Sequence, residues 1–239
     1  NAQLLAVRER RERPGLDNKA LTSWNALMVT AYCDAYDVFR NEAYLTSAVR
    51  AMDLLLAQCK RSNGGLWHLY KDGKASINGF LEDYCFTLQA LIALYGVTFE
   101  ERWLNEARAL AEHAIRHFHD DGSGLFNFTS DLDPALITRP MEVHDNVIPA
   151  SNSSMANALF LLGTLLDDER FLALSERATQ VGTNRMATYP TGHSHWAQGL
   201  LMRTFPFSEI AITGTDALAL RATFAPHYLP NRLFLGCTT

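Results

Sequence analysis

Apolar residues recur every three or four positions through long stretches of the chain, which is the spacing of an α-helix with a buried face. The predicted helices are Trp24 to Phe39, Glu42 to Cys59, Phe80 to Val97, Glu101 to Phe118, Ser153 to Leu166 and Glu169 to about Thr183. The first helix of each pair is apolar on nearly all sides, whereas the second carries charged residues along one face. This alternation predicts a mainly α protein, with buried inner helices and amphipathic outer helices.

An internal repeat supports the pairing of the helices. A shift of 59 residues places Tyr36 on Tyr95, together with several neighbouring apolar positions. A looser third copy follows at an offset of 68, where Phe171 matches Trp103. Repeated helical hairpins stack on one another and share a core. The pattern predicts an α/α toroid of helical hairpins, with a flatter α-solenoid as the alternative architecture.

The connections between helices predict where a site would lie. Links within a pair are short, whereas the links between pairs are long and cover about residues 60–79 and 119–152. In stacked hairpins all the long links emerge at one end of the helical array. Loops of this length inside a domain are usually functional. We therefore expect the functional residues at the end where the inner helices begin.

The pattern changes after Phe205 and Pro206. Residues 208–213 and 232–235 read as strands, and residues 216–224 read as a helix between them. The crossover is long enough for parallel pairing, which predicts a small βαβ-like appendage. We assign residues 1–206 to the toroid portion, as half of a larger toroid, and residues 207–239 to a strand–helix–strand tail of the same domain.

Charge and cysteine content narrow the classes of partner. The chain has 21 basic and 26 acidic residues and a net charge of −5, without a basic cluster interleaved with aromatics, so we expect no nucleic acid. The longest apolar run, around residues 158–162, is too short to span a membrane. The four cysteines lack a C-x-x-C motif, and three fall at predicted helical core positions. Free buried thiols of this kind indicate a reducing compartment, and we expect a cytoplasmic protein.

Two adjacent acids, Glu82 and Asp83, stand in the first turn of the helix that begins at Phe80. Carboxylates at a helix N-terminus stabilise the helix start, which is one interpretation of the pair. Paired acids in a cleft also perform acid/base chemistry on sugars, which is the other. Under the second interpretation we expect Asp83 to be ionised and to line the floor of a pocket.

Aromatic, amide and imidazole side chains are predicted to gather at the same end. Such a mixture suits a carbohydrate, because aromatic rings pack against sugar rings while polar groups bind hydroxyls. The candidate catalytic residues are Asp83, Glu82, His68 and His144, and the candidate substrate-binding residues are Trp24, Asn25, Trp67, Asp145, Asn152 and Ser153. We expect no metal and no cofactor, since secure metal-ligand spacing, a phosphate loop and a nucleotide fingerprint are all absent from the sequence.

Several motifs resemble the signature blocks of a known family. These blocks are Arg13-Pro14, Asp17-Asn18-Lys19, Leu21-Thr22-Ser23-Trp24-Asn25, Gly79-Phe80-Leu81-Glu82-Asp83-Tyr84 and Pro149-Ala150-Ser151-Asn152-Ser153. In combination they resemble the thioredoxin-domain-containing family that includes spermatogenesis-associated protein 20 and bacterial YyaL-like proteins. The resemblance implies a six-hairpin, glycosidase-like toroid related to N-acylglucosamine and cellobiose 2-epimerases. It also implies that a thioredoxin-like domain precedes the toroid in the longer protein.

Two classes of function stay open. The first is a carbohydrate-active enzyme, a glycoside hydrolase or a sugar 2-epimerase, in which Asp83 moves protons with Glu82, His68 or His144. The second is a non-catalytic sugar-binding or scaffolding module that serves the thioredoxin-like domain. The expected partners are a small carbohydrate and either the rest of the toroid or a second copy of the chain, without nucleic acid or membrane.

Overall fold

Three helical pairs follow one another along the chain, as the repeat predicts. The computed structural model describes residues 2–134 and 137–238, and its helices are α1 (Ala2–Arg8), α2 (Thr22–Phe39), α3 (Glu42–Cys59), α4 (Leu81–Thr98), α5 (Glu101–Phe118), α6 (Ser151–Leu166), α7 (Glu169–Met186), α8 (Ser194–Thr204) and α9 (Ala217–Ala222). Helices α2 to α7 confirm the six predicted helices, with ends that differ by at most three residues. The sequence did not predict α1 or the extent of α8.

The first helix of each pair ends in the same backbone conformation. Arg40, Phe99 and Asp167 follow α2, α4 and α6 with φ angles of 54°, 56° and 52°, in the left-handed region that non-glycine residues rarely adopt. Each donates its backbone N–H to a carbonyl oxygen four residues earlier. The three positions are separated by 59 and 68 residues, which are the two repeat offsets. The repeat therefore extends to the turn that sends the chain from an inner helix to an outer one.

The inner and outer helices differ in burial as the sequence predicts. Helix α4 packs against α2, α5 and α6, and most of its residues are buried. Helices α3, α5 and α7 bury one face each, with Trp103 and Phe171 among the fully buried side chains. Cys33, Cys59 and Cys85 are buried in the core, as predicted.

The loop between α3 and α4 forms a small sheet that the sequence analysis missed. Strands β2 (Trp67–Lys71) and β3 (Lys74–Asn78) form an antiparallel hairpin, and β1 (Ala20–Leu21) pairs with β2. The hairpin turns at Asp72 and Gly73, whose φ angles of 49° and 78° suit the two-residue turn that an Asp-Gly pair favours. This hairpin carries His68 to the beginning of α4.

The loop between α5 and α6 starts with the short antiparallel strands β4 (His119–Asp120) and β5 (Leu125–Phe126). Phe128 in this loop accepts a 2.9 Å backbone hydrogen bond from Leu81, and its ring stacks on Phe80 at a centroid distance of 5.0 Å. Phe80 and Leu81 lie at the start of α4, where the other long loop also ends. The long loops therefore meet at one end of the array, as predicted.

The tail confirms the predicted strand–helix–strand order. Strands β6 (Ser208–Thr213) and β7 (Arg232–Cys237) pair in parallel, and α9 lies in the crossover between them. The backbone oxygen of Gly236 accepts a 3.2 Å hydrogen bond from the Tyr95 hydroxyl, so the tail packs near the C-terminal end of α4. The division of the chain at residue 206 stays a prediction. Among the described residues, the helices are too short or too polar to cross a membrane.

Candidate functional site

The buried carboxylate of Asp83 caps the N-terminus of α4. Asp83 is the third residue of the helix, and its Oδ2 accepts a 2.9 Å hydrogen bond from the backbone N–H of Phe80. Helix starts leave such donors without partners, which explains a carboxylate at this position. Its Oδ1 accepts a 3.0 Å hydrogen bond from the backbone N–H of Ser23 in α2. The fully buried carboxylate therefore ties together the starts of two neighbouring inner helices.

His68 is the third partner of Asp83. Strand β2 places its ring edge-on against Phe80, at a centroid distance of 4.8 Å. Its Nδ1 lies 2.9 Å from Asp83 Oδ2, and the hydrogen bond to Asp83 raises the pKa of His68. Burial raises the pKa of Asp83, although His68 and the two backbone donors act in the opposite direction. The pair therefore retains a shared proton more readily than its separate groups would.

One expectation about Asp83 needs correction. The sequence predicts a carboxylate on a pocket floor, but the Asp83 side chain is 0% exposed and each of its oxygens already has a partner. The reason for this burial is tertiary, because α2 and β2 cover a helix start that would otherwise meet solvent. The expectation that the helix N-terminus keeps Asp83 ionised stays a prediction, since burial raises its pKa while the hydrogen bonds from His68, Phe80 and Ser23 lower it.

Glu82 is only partly buried, in contrast to its neighbour. Its Oε1 accepts a 3.2 Å hydrogen bond from the Ser23 hydroxyl, so Ser23 serves both acids, one through its backbone and one through its side chain. Among the described residues, no donor binds Glu82 Oε2. Burial raises the pKa of Glu82, and the negative charge of Asp83 raises it further. We refer to Ser23, His68, Glu82 and Asp83 as the acid–histidine cluster.

Glu142 is a neighbouring acid that the sequence analysis missed. It is partly exposed, and its Oε2 accepts a 3.1 Å hydrogen bond from the backbone N–H of Ser151, the first residue of α6. After burial and Asp83, the charge of Glu142 also raises the pKa of Glu82, which places the two glutamates within electrostatic reach. Its loop has no periodic pattern. The available signal was its position shortly before an inner helix.

Asn152 fills an internal role at the start of α6. Its Oδ1 accepts a 2.8 Å hydrogen bond from the backbone N–H of Phe126, and its Nδ2 donates to the carbonyl oxygens of Phe126 and Glu142 at 2.9 Å each. The side chain is fully buried. Asn152 therefore fixes the loop that carries Glu142, and the structure gives its amide no free group for a ligand.

Asp145 and Ser153 lie together at the same helix start. Asp145 accepts 2.8 Å hydrogen bonds from the backbone N–H groups of Ala150 and His195, and a 3.0 Å bond from the hydroxyl of Ser153. Ser153 is fully buried. These two predicted binding residues therefore join the start of α6 to the start of α8.

The other predicted site residues make their described contacts outside the acid–histidine cluster. Trp24 is 61% exposed on α2, and Asn25 donates a 2.7 Å hydrogen bond to the carbonyl oxygen of Leu21 in its own helix turn. Trp67 lies beneath the guanidinium of Arg61. His144 is exposed and contacts the rings of Tyr189 and His193. Of the four predicted catalytic residues, the structure therefore brings together His68, Glu82 and Asp83, but not His144.

The cluster has the spacing of a cation site. One ligand atom each from His68, Glu82 and Asp83 lies within 4.8 Å of the others. However, Asp83 Oδ2 already accepts the N–H of Phe80 and lies 2.9 Å from His68 Nδ1. A cation at the centre would have to replace the shared proton, so the geometry fits an acid–histidine hydrogen-bond network better.

Proteins of known sequence give the first comparison. No family model matches the chain. Spermatogenesis-associated protein 20 of Rattus norvegicus is 27% identical over 247 residues, and that of Homo sapiens is 26% identical over 250 residues. Both alignments cover 98% of this chain. The resemblance expected from the motifs is confirmed. The chain spans 31% of the length of these relatives, so the similarity concerns one part of them.

Solved structures give the second comparison. A GH76 α-mannanase of Bacteroides thetaiotaomicron has a TM-score of 0.61 at 14% identity, covering 80% of this chain and 52% of its own. A cellobiose 2-epimerase of Bacillus thermoamylovorans has a TM-score of 0.58 at 14% identity, covering 80% and 63%. An inactive α-1,6-mannanase of Salegentibacter, in which two consecutive aspartates are replaced by asparagine, has a TM-score of 0.55 at 13% identity, covering 75% and 51%. The chain therefore has the α/α toroid fold of glycoside hydrolases and sugar epimerases.

Proposed function

We propose that the long-loop end of the inner helices binds a carbohydrate and that Glu82 acts on it as the proton-transferring acid. The observation that carries this proposal is the difference between the adjacent acids. Asp83 is buried with three partners, whereas Glu82 is partly exposed and has one oxygen without a partner among the described residues. A partly buried carboxyl with a raised pKa suits a general acid.

Glu142 is the second carboxylate of the proposed site. Glycoside hydrolysis uses one carboxyl as an acid and another as a base or nucleophile, and epimerisation needs an acid and a base. Glu142 is partly exposed, and its loop is fixed by the hydrogen bond to Ser151. Asp83 and His68 act as positioning residues, because their hydrogen bonds hold α2, β2 and α4 around Glu82.

The comparisons support the chemistry without assigning the reaction. Structures with this fold act on mannans and on cellobiose, as their names state. One of them is inactive when two consecutive aspartates are replaced, and this chain presents the consecutive acids Glu82 and Asp83. A sugar-related role is the common element, and hydrolysis and 2-epimerisation are the two reactions to test.

The test is a ligand screen followed by product analysis. Thermal unfolding of the chain is measured with mannose, glucose, cellobiose and mannose disaccharides, and each stabilising sugar is then incubated in deuterium oxide. Epimerisation through proton removal at C2 introduces deuterium at that carbon, whereas hydrolysis releases monosaccharides without it. We expect Glu82→Gln to lower turnover by about 10²- to 10⁴-fold and to change stability by less than about 1 kcal/mol.

The matched control is Glu112→Gln, which changes a partly buried glutamate on the outer helix α5 that pairs with Arg170. It should leave turnover unchanged. Undiminished turnover in Glu82→Gln would exclude Glu82 as the acid.

A non-catalytic sugar-binding module is the second candidate. The observation in its favour is that Asp83, Asn152 and Asp145 are all committed to internal hydrogen bonds. A sugar that stabilises the chain but yields no product under any condition would select this candidate. The scaffolding variant of it, with a thioredoxin-like domain as the partner, requires the longer protein and is tested by binding of that domain.

A further inference from the structure

Three arginines converge on one aspartate at the other end of the inner helices. Asp37 lies in the last turn of α2, and its Oδ1 is 2.5 Å from Arg221 Nη1 of α9 while its Oδ2 is 2.9 Å from Arg232 Nη2 of β7. Arg40, which caps α2, approaches the same carboxylate at 3.9 Å. We refer to Arg40, Arg221 and Arg232 as the arginine cluster. It brings three positive charges to one carboxylate.

The arginine cluster has more donors than acceptors. Nε of Arg221, and Nε and Nη2 of Arg40, are buried without a hydrogen-bond partner among the described residues. The Arg221 side chain is only 5% exposed, so water gives it little compensation. Buried donors in folded proteins are almost always paired, so these N–H groups favour an acceptor that the described residues do not supply. Asp34 is a second acid near Arg232, so the three arginines face two carboxylates and one positive charge remains in excess.

A cavity of about 700 Å³ is lined by two members of the arginine cluster. Its walls come from the inner helices and the tail, and Asp34, Asp37, Arg221 and Arg232 are among them. Polar side chains line other parts of it, namely Gln89, Asn157, Gln198 and Asn231. The volume is in the range of small-molecule sites. No member of the acid–histidine cluster is among the lining residues, so the cavity is separate from the site proposed above.

The guanidinium groups are held in place before any ligand arrives. Arg221 and Arg232 both lie over the ring of Phe234, at 4.7 and 5.3 Å from its centroid. A guanidinium packed on an aromatic ring loses less rotational freedom when it binds a further group. Arginine also presents paired N–H groups that match the oxygens of a phosphate or carboxylate.

We propose that this cavity binds a small polar metabolite through an anionic head group, phosphate or carboxylate, which contacts Arg221 and Arg232 beside Asp37. The polar amides elsewhere in the cavity lining bind the uncharged part of the ligand. The ion pairs of Asp37 with Arg221 and Arg232 then have two functions, because they attach the tail to α2 and also form the anion site.

Thermal unfolding and calorimetric titration of the full chain test the proposal. The probes are inorganic phosphate, a hexose 6-phosphate, a hexuronate and the corresponding neutral hexose, with chloride at equal ionic strength as the reference. We expect saturable binding of the anionic probes but not of the neutral hexose. Tighter binding of the hexose phosphate than of the hexuronate assigns the head group as phosphate, and the reverse order assigns it as carboxylate.

Two variants change the affinity in opposite directions. Arg232→Gln removes one cation and should weaken binding of the anionic probes at least tenfold. Asp37→Asn removes the competing carboxylate and should tighten it, a result that a partly unfolded variant does not produce. The control is Arg170→Gln, since Arg170 also pairs with a glutamate and packs on a phenylalanine, but on the outer helix α7.

The proposal is overturned by the absence of saturable anion binding in the parent. It is equally overturned if Arg232→Gln and Asp37→Asn bind the probes as Arg170→Gln does, because binding is then non-specific. Its failure leaves the carbohydrate site untouched, since the two sites share no residues.

Discussion

The two ends of the inner helices hold charge in different ways. At the N-terminal end, Asp83 meets donors from three segments, and Glu82 accepts the hydroxyl of Ser23. At the C-terminal end, Asp37 is shared by the arginine cluster, and some guanidinium N–H groups have no partner among the described residues. Acids at helix N-termini and cations at helix C-termini both suit the helix macrodipole.

The macrodipole therefore accounts for the sign of the charged groups at each end. It does not account for how many of their hydrogen-bonding atoms have partners. The start of α4 is closed by its own hydrogen bonds, apart from the Glu82 oxygen that has no partner among the described residues. The C-terminal end has a surplus of positive charge. We therefore expect the first end to depend on its internal acid, and the second to respond to anions from solution.

The largest expected effect is that of Asp83→Ala. It leaves the N–H groups of Ser23 and Phe80, together with His68, without an acceptor in a buried site. Removing one partner from a buried charged network costs about 3–5 kcal/mol of unfolding free energy. The measurement is urea unfolding at neutral pH. A loss below about 1 kcal/mol would show that the site is open to water.

Asp83→Asn separates shape from charge. Both carboxylate oxygens accept hydrogen bonds, so an amide nitrogen at either position would face a donor. We therefore expect Asp83→Asn to lower the free energy of unfolding by less than Asp83→Ala does. The decrease should still be larger than the loss of a carboxylate at a helix start would cause. Added phosphate should not restore either variant, because Asp83 is fully buried and, among the described residues, no arginine pairs with it.

The sequence predicted the features that depend on neighbouring residues. The helix bounds follow from apolar spacing within each segment, and the turns at Arg40, Phe99 and Asp167 follow the repeat. Glu82 and Asp83 were recognisable because they are adjacent and occupy a helix start. The pattern of one segment is sufficient for each of these features.

The features that it missed depend on contacts between distant segments. The donor from Ser23 to Asp83 comes from 60 residues away, and the arginines that bind Asp37 come from 184 and 195 residues away. A helix start in the sequence looks the same whether or not other segments cover it. For that reason the burial of Asp83 and the arginine cluster could not be predicted.

The second effect in size is that of Asp37→Ala. Its carboxylate is 14% exposed and Arg232 is 25% exposed, so water compensates for part of the loss. We expect a cost of about 2 kcal/mol, between the values for exposed and buried ion pairs. Phosphate should restore stability here but not in Asp83→Ala, as measured by the urea midpoint of each variant with and without phosphate. Equal responses in the two variants would remove the distinction between the two ends.

The third effect is a pH dependence at the N-terminal end. Because the folded state raises the pKa of His68 and of Asp83, it binds protons more tightly than the unfolded state. The resulting stabilisation is complete at pH values below the pKa of each group in the unfolded state. It is lost as the pH rises through the pKa of that group in the folded state. Glu82 and Lys19 also act on His68, with opposite signs.

The matched variant is His68→Asn, which keeps a hydrogen-bond donor close to the position of Nδ1 but does not titrate. We expect the advantage of the parent over this variant to be larger at about pH 5.5 than at about pH 8.5, on either side of the ordinary histidine pKa. The measurement is the difference between their urea midpoints at each pH. A difference that is independent of pH would mean that folding does not shift the pKa of His68.

The smallest expected effect on stability concerns the exposed side of α2. This face extends from one end of the inner helices to the other. Trp24, Met28 and Val38 are 61%, 53% and 66% exposed, and their spacing places them on one face of the helix. Trp24 lies near the acid–histidine cluster and Val38 near the arginine cluster. An exposed apolar face suits a contact with another protein surface. We propose that a second copy of the chain covers it when no further helical hairpins are available.

Sedimentation at increasing protein concentration tests this partner. Trp24→Ser and Val38→Ser should each weaken self-association, while changing the unfolding free energy of the dissociated chain by no more than about 0.5 kcal/mol. Leu54→Ser on α3 is the control, because Leu54 is 55% exposed but lies on a different helix. If both α2 variants weaken association equally, the contact runs along the whole helix and covers the edges of both sites. If the parent stays monomeric at every concentration, this face is not a contact between copies, and each site is then open along the side of α2.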